Sequence, residues 1–145
     1  MSGERQPYPI GDLQFGQKVE VTKIVDIPQI KPVTFEDLVI PNGASVSDVF
    51  EIGSQLSLIA IIMPASWTAA NLTFQAAAGA GGTYNNVYDD AGTELTVTAA
   101  ASRFISLNPR YYVGMTNIKV RSGTAGTPVA QEASRTLKLV LRSVE

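Results

Sequence analysis

Apolar and polar residues alternate along several short stretches of this chain. Within residues 71–76, Leu72, Phe74 and Ala76 share one parity, whereas Asn71, Thr73 and Gln75 share the other. A period of two places successive side chains on opposite faces of a strand, so such a stretch predicts a strand with one apolar face. The predicted strands cover residues 18–25, 45–52, 55–63, 71–76, 83–89, 94–99, 103–107, 117–122 and 135–142.

Turn-forming residues separate these stretches. Glycines at 79, 81 and 82 and the sequence Asp90-Ala91-Gly92 interrupt the pattern at short, regular intervals. Short strands at that spacing are typical of antiparallel β-sandwiches and jelly rolls. We therefore predict an all-β fold, an antiparallel jelly roll or β-sandwich of about eight or nine strands with an extended N-terminal arm.

The parity of each stretch also predicts the core. Residues 55–63 read QLSLIAIIM and are apolar on both parities after Ser57, which is typical of a central strand. We expect almost complete burial of Leu58, Ile59, Ile61, Leu72, Phe74, Leu95, Val97, Ile118, Val120, Leu137 and Leu139.

The first forty residues differ from the rest. Pro28, Pro32 and Pro41 follow one another closely, and proline cannot donate to a sheet ladder, so irregular chain or edge pairing is expected there. We predict an extended arm over residues 1–40, with one strand at 18–25, and a jelly-roll domain over residues 41–145. The apolar residues of the arm require cover, either from the chain's own sandwich or from a partner. If a partner covers them, the predicted partner-binding residues are Ile27, Ile30, Val33, Phe35, Leu38 and Ile40.

The amino-acid composition limits the catalytic and metal-binding groups that this chain can provide. The 145 residues include no Cys and no His, which excludes disulfides, thiol nucleophiles and the commonest general base from this chain. Two adjacent carboxylate pairs, Glu36-Asp37 and Asp89-Asp90, could hold Ca²⁺, but neighbouring strand residues face opposite ways and Asp-Asp-Ala-Gly is ordinary turn chemistry. We expect no enzyme activity, no cofactor and no metal.

Charge is distributed unevenly. Residues 1–102 carry 4 Lys/Arg and 11 Asp/Glu, a net charge of −7, and residues 103–145 carry 7 Lys/Arg and 2 Asp/Glu, a net charge of +5. One interpretation is a solvated sheet face with basic outward positions. The other is a pair of complementary acidic and basic surfaces between subunits. Nucleic-acid binding is disfavoured by the acidic balance and the lack of a known module.

Three sequence phrases resemble a known group of proteins. MPASWTAANLTFQ, IKVRSGT and RTLKLVL, within residues 40–142, resemble small structural proteins encoded in the head and tail modules of tailed bacteriophages and prophages. RFISL followed by IKVRSG also resembles galactose-binding-like jelly rolls, in pattern only and without any transferable binding residue. The first resemblance implies a capsid decoration or cement protein, or a module of a tail or fibre.

The resemblance sets the functional expectation. It implies a virion protein, assembled in the bacterial host cytoplasm, that binds the outer surface of the major capsid protein shell and forms homo-oligomeric or symmetric contacts on the particle. No nucleic acid or membrane partner is expected. The alternative is a carbohydrate- or receptor-binding jelly-roll module of a phage tail or fibre, with a stacking surface drawn from Trp67, Tyr84, Tyr88, Tyr111 and Tyr112.

Overall fold

The computed structural model describes residues 32–143, which form eight strands and one 3-10 turn. No helix in this part of the chain is long and apolar enough to cross a bilayer. The predicted strand at 18–25 and the rest of residues 1–31 lie outside the described residues. The strands are β1 (Val33–Ile40), β2 (Phe50–Glu51), β3 (Leu56–Ile62), β4 (Leu72–Ala77), β5 (Asn85–Asn86), β6 (Phe104–Ser106), β7 (Asn117–Ser122) and β8 (Arg135–Ser143), and the 3-10 turn covers Pro109–Tyr111.

The strands form two sheets of four. The first sheet has the order β1-β8-β3-β6 and the second the order β2-β7-β4-β5, with every neighbouring pair antiparallel. The predicted all-β antiparallel sandwich is confirmed. The chain changes sheet at every connection except that between β4 and β5. This winding is compatible with a jelly roll, which stays a prediction.

The core contains residues of both sheets, with side chains at alternate positions of the strands turned inward. All but two of the residues expected in the core are almost completely buried, and those two, Ile59 and Leu95, are half-buried. Ile59 lies at a bulge, where the pairing of β3 with β8 steps from Leu58 directly to Ala60. Leu95 belongs to a segment that forms isolated bridges instead of a regular strand, and its side chain packs at the margin of the core.

Of the two outcomes that the prolines predicted, irregular chain and edge pairing, strand β1 shows the second. Residues 33–40 pair with β8 at all eight positions, and β1 is the outermost of the described strands in the first sheet. Pro32 and Pro41 flank the strand instead of interrupting it, so no ladder hydrogen bond is lost. The sequence offered edge pairing as one outcome for this region, and residues 33–40 of the predicted arm are part of the sandwich.

Three predicted strands are much shorter in the structure. Residues 45–52 contribute only Phe50–Glu51 and a bridge from Val46 to Arg121, and residues 83–89 contribute only Asn85–Asn86 and a bridge from Tyr88 to Glu94. The third segment, residues 94–99, contributes only isolated bridges. Side-chain hydrogen bonds take over part of the pairing in the latter segment, because Asn71 Oδ1 accepts the Ala99 amide at 3.2 Å. Polar side chains of this kind compete with ladder bonds and shorten regular strands.

Candidate docking surface

The side of the first sheet that faces away from the core is apolar. Cross-strand partners point to the same face of a sheet, so the registers define which side chains share this surface. Phe35 of β1 lies opposite Val140, which lies opposite Ala60 of β3. In the next row, Ile62 lies opposite Phe104 of β6. We call this surface, with its exposed members Val33, Phe35, Val39 and Phe104, the apolar face.

Its outer side chains are open to solvent, whereas its centre is not. Phe35 is 54% and Phe104 64% exposed, and these two rings stand on opposite edges of the described sheet. Val140 and Ser57, on the two central strands, are almost completely buried. Ser57 Oγ has no hydrogen-bond partner within residues 32–143. The apolar face therefore has a closed centre flanked by large exposed apolar groups.

One ion pair crosses this face. Lys138 Nζ donates to Asp37 Oδ1 at 2.7 Å, and both side chains are about half exposed. The pair neutralises two opposite charges inside one chain, one from the acidic and one from the basic part of the sequence. The apolar face therefore gains polarity from this pair without gaining net charge.

The structure divides the predicted partner-binding residues into three groups. Ile27 and Ile30 lie outside the described residues, and Val33 and Phe35 are exposed on the apolar face. Leu38 and Ile40 must be removed from the predicted surface, because they have the opposite parity and are buried in the core. The period of two would have separated these groups, since β1 is a regular strand.

Phe104 is the member that the sequence did not identify. It stands next to Ile105, which is also apolar, so the hydropathy of residues 103–107 does not say which of the two faces the core. The pairing of Ile62 with Phe104 settles the orientation, because Ile62 shares its face with Lys138. No local sequence signal identifies Phe104, because its orientation follows from a pairing with a strand about forty residues earlier in the chain.

The second sheet has a very different outer side. Thr73, Gln75, Asn86, Lys119 and Arg121 share it by register, and we call it the polar face. Arg121 is almost completely buried there, although its outward parity predicts a solvated residue.

A hydrogen-bond network explains how this arginine is buried. Its Nη2 donates to Glu94 Oε2 at 2.7 Å, its Nη1 to Asn86 Oδ1 at 2.9 Å, and its Nε to Thr73 Oγ1 at 2.9 Å. Glu94 Oε2 also accepts the Ala125 amide at 3.0 Å. With every guanidinium nitrogen bonded and the charge paired, burial does not leave an isolated cation.

The loop after Arg121 requires glycine at its start. Gly123 has φ of +91°, and a Cβ placed there would lie 2.5 Å from the carbonyl oxygen of Thr127. The Gly123 carbonyl in turn accepts the Thr73 hydroxyl at 2.6 Å. This close approach brings the Ala125 amide to the Glu94 carboxylate, so the loop is part of the network.

The predicted stacking aromatics do not form one surface. Tyr112 is buried edge to face against Phe74, with ring centroids 5.4 Å apart, and burial raises the pKa of Tyr112 to about 12. Trp67 is half-buried against the core and donates to the Ala70 carbonyl, which confirms the packing role that is commoner for such a residue. Tyr84 lies under the Lys119 ammonium at 4.9 Å.

The two remaining tyrosines are exposed and belong to different elements. Tyr88 forms an isolated bridge with Glu94 beside β5, whereas Tyr111 ends the 3-10 turn after β6.

The carboxylate pairs have structural partners. Asp89 Oδ1 accepts the amides of Ala91 and Thr93, both at 2.9 Å, and Gly92 follows with φ of +86°. The prediction of turn chemistry at Asp89-Asp90 is confirmed. Within residues 32–143 no group of three or more acidic side chains is placed to hold a metal ion.

Comparison with known proteins gives a likeness in fold. No protein-family description and no curated protein matches the sequence. Among solved structures, the chain is similar to the SPBc2 prophage-derived protein YomS, with a TM-score of 0.50 and 14% sequence identity. The match covers 81% of this chain and 98% of that one. At this identity the likeness shows a shared fold.

Proposed function

We propose that this chain is a bacteriophage virion structural protein, a capsid decoration or cement protein. It binds the outer surface of the major capsid protein shell and stabilises neighbouring capsid subunits. The observation that carries the proposal is the apolar face, which exposes two phenylalanines and two valines on one regular sheet. The proposed role requires no reaction, cofactor or metal.

Large exposed apolar side chains on one face favour a protein partner. Contiguous apolar patches on soluble proteins mark interaction sites, and the buried centres of interfaces are enriched in aromatic residues and depleted in charge. The face fits this description, since its one described ion pair, Asp37 with Lys138, is internally neutral. Arg142, opposite Val33, adds a positive charge beside the patch that would orient docking on an acidic surface.

The fold supports a phage setting. The similar solved structure, YomS, is described as prophage-derived, and the sequence phrases that resemble phage head and tail proteins fall within the described sandwich. Neither observation names a partner, and the capsid is the partner that the sequence resemblance implies.

The area of the apolar face limits how much surface a single copy can bury against the shell. Four strands about 4.8 Å apart and eight residues rising about 3.3 Å each give at most about 500 Å². Counting both partners, this is about 1,000 Å², the lower limit for a specific interface. Contacts from residues 1–31, including Ile27 and Ile30, and repeated copies on a symmetric shell would strengthen attachment through multivalency.

Cosedimentation with shells of the major capsid protein encoded in the same genome tests the proposal. We expect Phe35→Ser and Phe104→Ser to remain folded and to lose most of the shell-bound fraction. Tyr88→Ser is the matched control, because Tyr88 is 53% exposed but lies outside the apolar face. Shell binding that persists in both phenylalanine variants, or that is lost equally in the control, would contradict the proposed face.

A truncation separates the arm from the face. Removal of residues 1–31 leaves the complete β1, unlike removal of residues 1–40, which would delete an entire paired strand. If the arm contributes contacts, the truncated protein binds shells more weakly than the full chain but more strongly than its own Phe35→Ser variant. Equal binding by the truncated and full chains would restrict the interface to the sandwich.

A further inference from the structure

Strand β1 has an open edge among the described strands. On one side all eight of its residues pair with β8, and no described strand lies on the other side. Every second residue of an antiparallel edge strand directs its N–H and C=O away from the sheet, so this side of β1 offers a row of unpaired donors and acceptors. Because its pairing with β8 contains no bulge, β1 is regular enough to accept another strand.

Two carboxylates in the middle of β1 limit how a second copy of this strand could pair with it. Asp37 lies on the outward side with Lys138, whereas Glu36 has the inward parity of Leu38, yet is exposed and forms no hydrogen bond or ion pair within residues 32–143. Like charges directly opposite each other destabilise a strand pair, so a two-fold axis at either carboxylate is disfavoured. An axis at Leu38 would set Glu36 against Ile40, which is completely buried.

An axis at Phe35 avoids these conflicts. With Phe35 opposite Phe35 of the second copy, outward residues stay opposite outward residues and the two rings face each other. Thr34 then lies opposite Glu36, whose carboxylate can accept the threonine hydroxyl. Val33 lies opposite Asp37, so no like charges meet. Each of these contacts occurs twice, because a two-fold interface uses the same surface of both copies.

This register also joins apolar surface. Val140 lies beside Phe35 on β8, and Ala60 lies beside Val140 on β3. An unbroken apolar row therefore runs from Ala60 across the axis to Ala60 of the second copy. Because the axis is perpendicular to the sheet, the apolar faces of both copies point to the same side.

Charges alternate across the same junction. Asp37 lies beside its own Lys138 on one side and opposite Val33 of the second copy on the other. Val33 is in turn opposite Arg142, so Arg142 of the second copy is the next charged side chain in that row. Each Asp37 carboxylate is flanked by two cations, and the outward charges of two copies complement each other.

We propose that β1 pairs with β1 of a second copy about a two-fold axis at Phe35, so that the first sheet continues through both copies. This pairing deepens the proposed function, because it presents two apolar faces as one surface. One face reaches only the lower limit of a specific interface, whereas two joined faces bury about 2,000 Å² in total with the shell. Only residues 33–37 of each copy pair, so the free dimer should be weak, with a Kd on the order of 100 µM, and multivalency on a shell reinforces it.

Sedimentation equilibrium of the full chain without shells, between about 10 µM and about 1 mM, tests the pairing. We expect a reversible equilibrium between monomer and dimer. Phe35→Lys sets two ammonium groups against each other at the axis and should weaken the dimer about tenfold or more. Phe104→Lys, the matched change on the other edge of the sheet, should leave the Kd unchanged. Both side chains are more than half exposed, so both variants should remain folded.

Introduced cysteines report the register, because the chain contains no cysteine of its own. Under oxidation, Phe35→Cys should form an intermolecular disulfide, since directly opposite residues lie within the Cα separation that a disulfide spans. Glu36→Cys lies off the axis and Phe104→Cys lies on the other edge, so both should stay largely monomeric.

A full chain that stays monomeric at about 1 mM would mean that a second copy does not occupy this edge, and would overturn the proposal. Equal cross-linking of the three cysteine variants, or cross-linking of Glu36→Cys in place of Phe35→Cys, would also overturn it. Dimers that fail to bind shells would contradict the proposed function alone, and shell binding by a strictly monomeric chain would contradict the pairing alone.

Discussion

The outward side chains of the two sheets lie in opposite environments, although the strands of both sheets have the same geometry. On the apolar face, phenylalanine and valine side chains remain in solvent, and a buried hydroxyl, Ser57 Oγ, has no partner. On the polar face, a full cation, Arg121, is buried and every nitrogen of its guanidinium donates a hydrogen bond. The outward side chains of the two sheets therefore differ in what they meet: hydrogen-bond partners on the polar face and solvent at the edges of the apolar face.

Among the described residues, each face contains one ion pair, and the two pairs differ in how far they are buried. Arg121–Glu94 and Lys138–Asp37 both have N···O distances of 2.7 Å. The side chains of the first pair are 6% and 17% exposed, and those of the second are 45% and 59% exposed. The two pairs have the same N···O distance, but loss of the buried pair should lower the free energy of unfolding more, since solvent screens the exposed pair and not the buried one.

The largest expected effect on the free energy of unfolding comes from a comparison of two phenylalanines. Phe74 is completely buried beneath the polar face, so Phe74→Ala should lower the free energy of unfolding by about 3–5 kcal/mol. Phe104→Ala, on the apolar face, should change it by no more than about 0.5 kcal/mol. Urea denaturation of both variants measures the difference. A similar loss in the two variants would mean that Phe104 is covered within the isolated protein.

The second prediction compares the two ion pairs after the carboxylate of each is replaced by an amide. Glu94→Gln removes the charge opposite a buried guanidinium and should lower the free energy of unfolding by about 3 kcal/mol. Asp37→Asn, the matched change in the exposed pair, should cost about 0–1 kcal/mol. Denaturation at low and high salt checks both values. A strongly salt-dependent loss in Glu94→Gln would contradict the burial of this pair.

The third prediction concerns Tyr112, which packs on Phe74 between the two faces. Its pKa is raised from 10.0 to about 12 by burial, so above pH 10 the unfolded chain releases this proton before the folded one does. Stability from this group is intact below pH 10 and is lost as the pH rises towards 12, by at most about 2.7 kcal/mol.

Tyr112→Phe provides the reference for that measurement. The variant lacks the phenol, so the gap between the wild-type and variant free energies of unfolding should change between pH 9 and pH 12 to the disadvantage of the wild type. A constant gap over that range would show that the folded protein tolerates the phenolate.

The smallest contrast compares two buried serines. Ser47 Oγ accepts the Val120 amide at 3.0 Å and donates to the Asp48 carbonyl at 2.9 Å, so Ser47→Ala should cost about 1 kcal/mol. Ser57 has no such partner, and Ser57→Ala should be neutral or should stabilise the protein by up to about 1 kcal/mol. Thermal melting of the pair tests the sign. Destabilisation of similar size in Ser57→Ala would reveal a partner for its hydroxyl.

Period-two parity predicted the fold well where strands are long. It identified buried residues in β3, β4, β7 and β8, with Ile59 at the bulge of β3 as the exception, and the outward parity of Arg121. Parity does not report what covers an outward residue, however. Arg121 is buried because Glu94, 27 residues away in sequence, folds over it, and no local pattern links the two.

The candidate docking surface was predicted only in part, for two physical reasons. The prolines near β1 left irregular chain and edge pairing as alternatives, and the edge strand forms because Pro32 and Pro41 occupy strand ends, where a missing N–H costs nothing. Grouping Val33 and Phe35 with Leu38 and Ile40 then mixed two faces of one strand. Phe104 joins the surface through strand pairing with β3, a long-range contact that a single sequence does not specify.

The position of β8 has a consequence for how the protein is made. This strand lies between β1 and β3, so it holds the first sheet together, and Asp37 meets Lys138 across 101 residues of chain. A ribosome adding roughly 5–20 residues per second needs on the order of five to twenty seconds to bridge that interval. Until β8 emerges, β1 has no neighbour among the described strands and β3 has only β6, so the apolar side chains of β1 stay exposed in the nascent chain, where they are prone to aggregate.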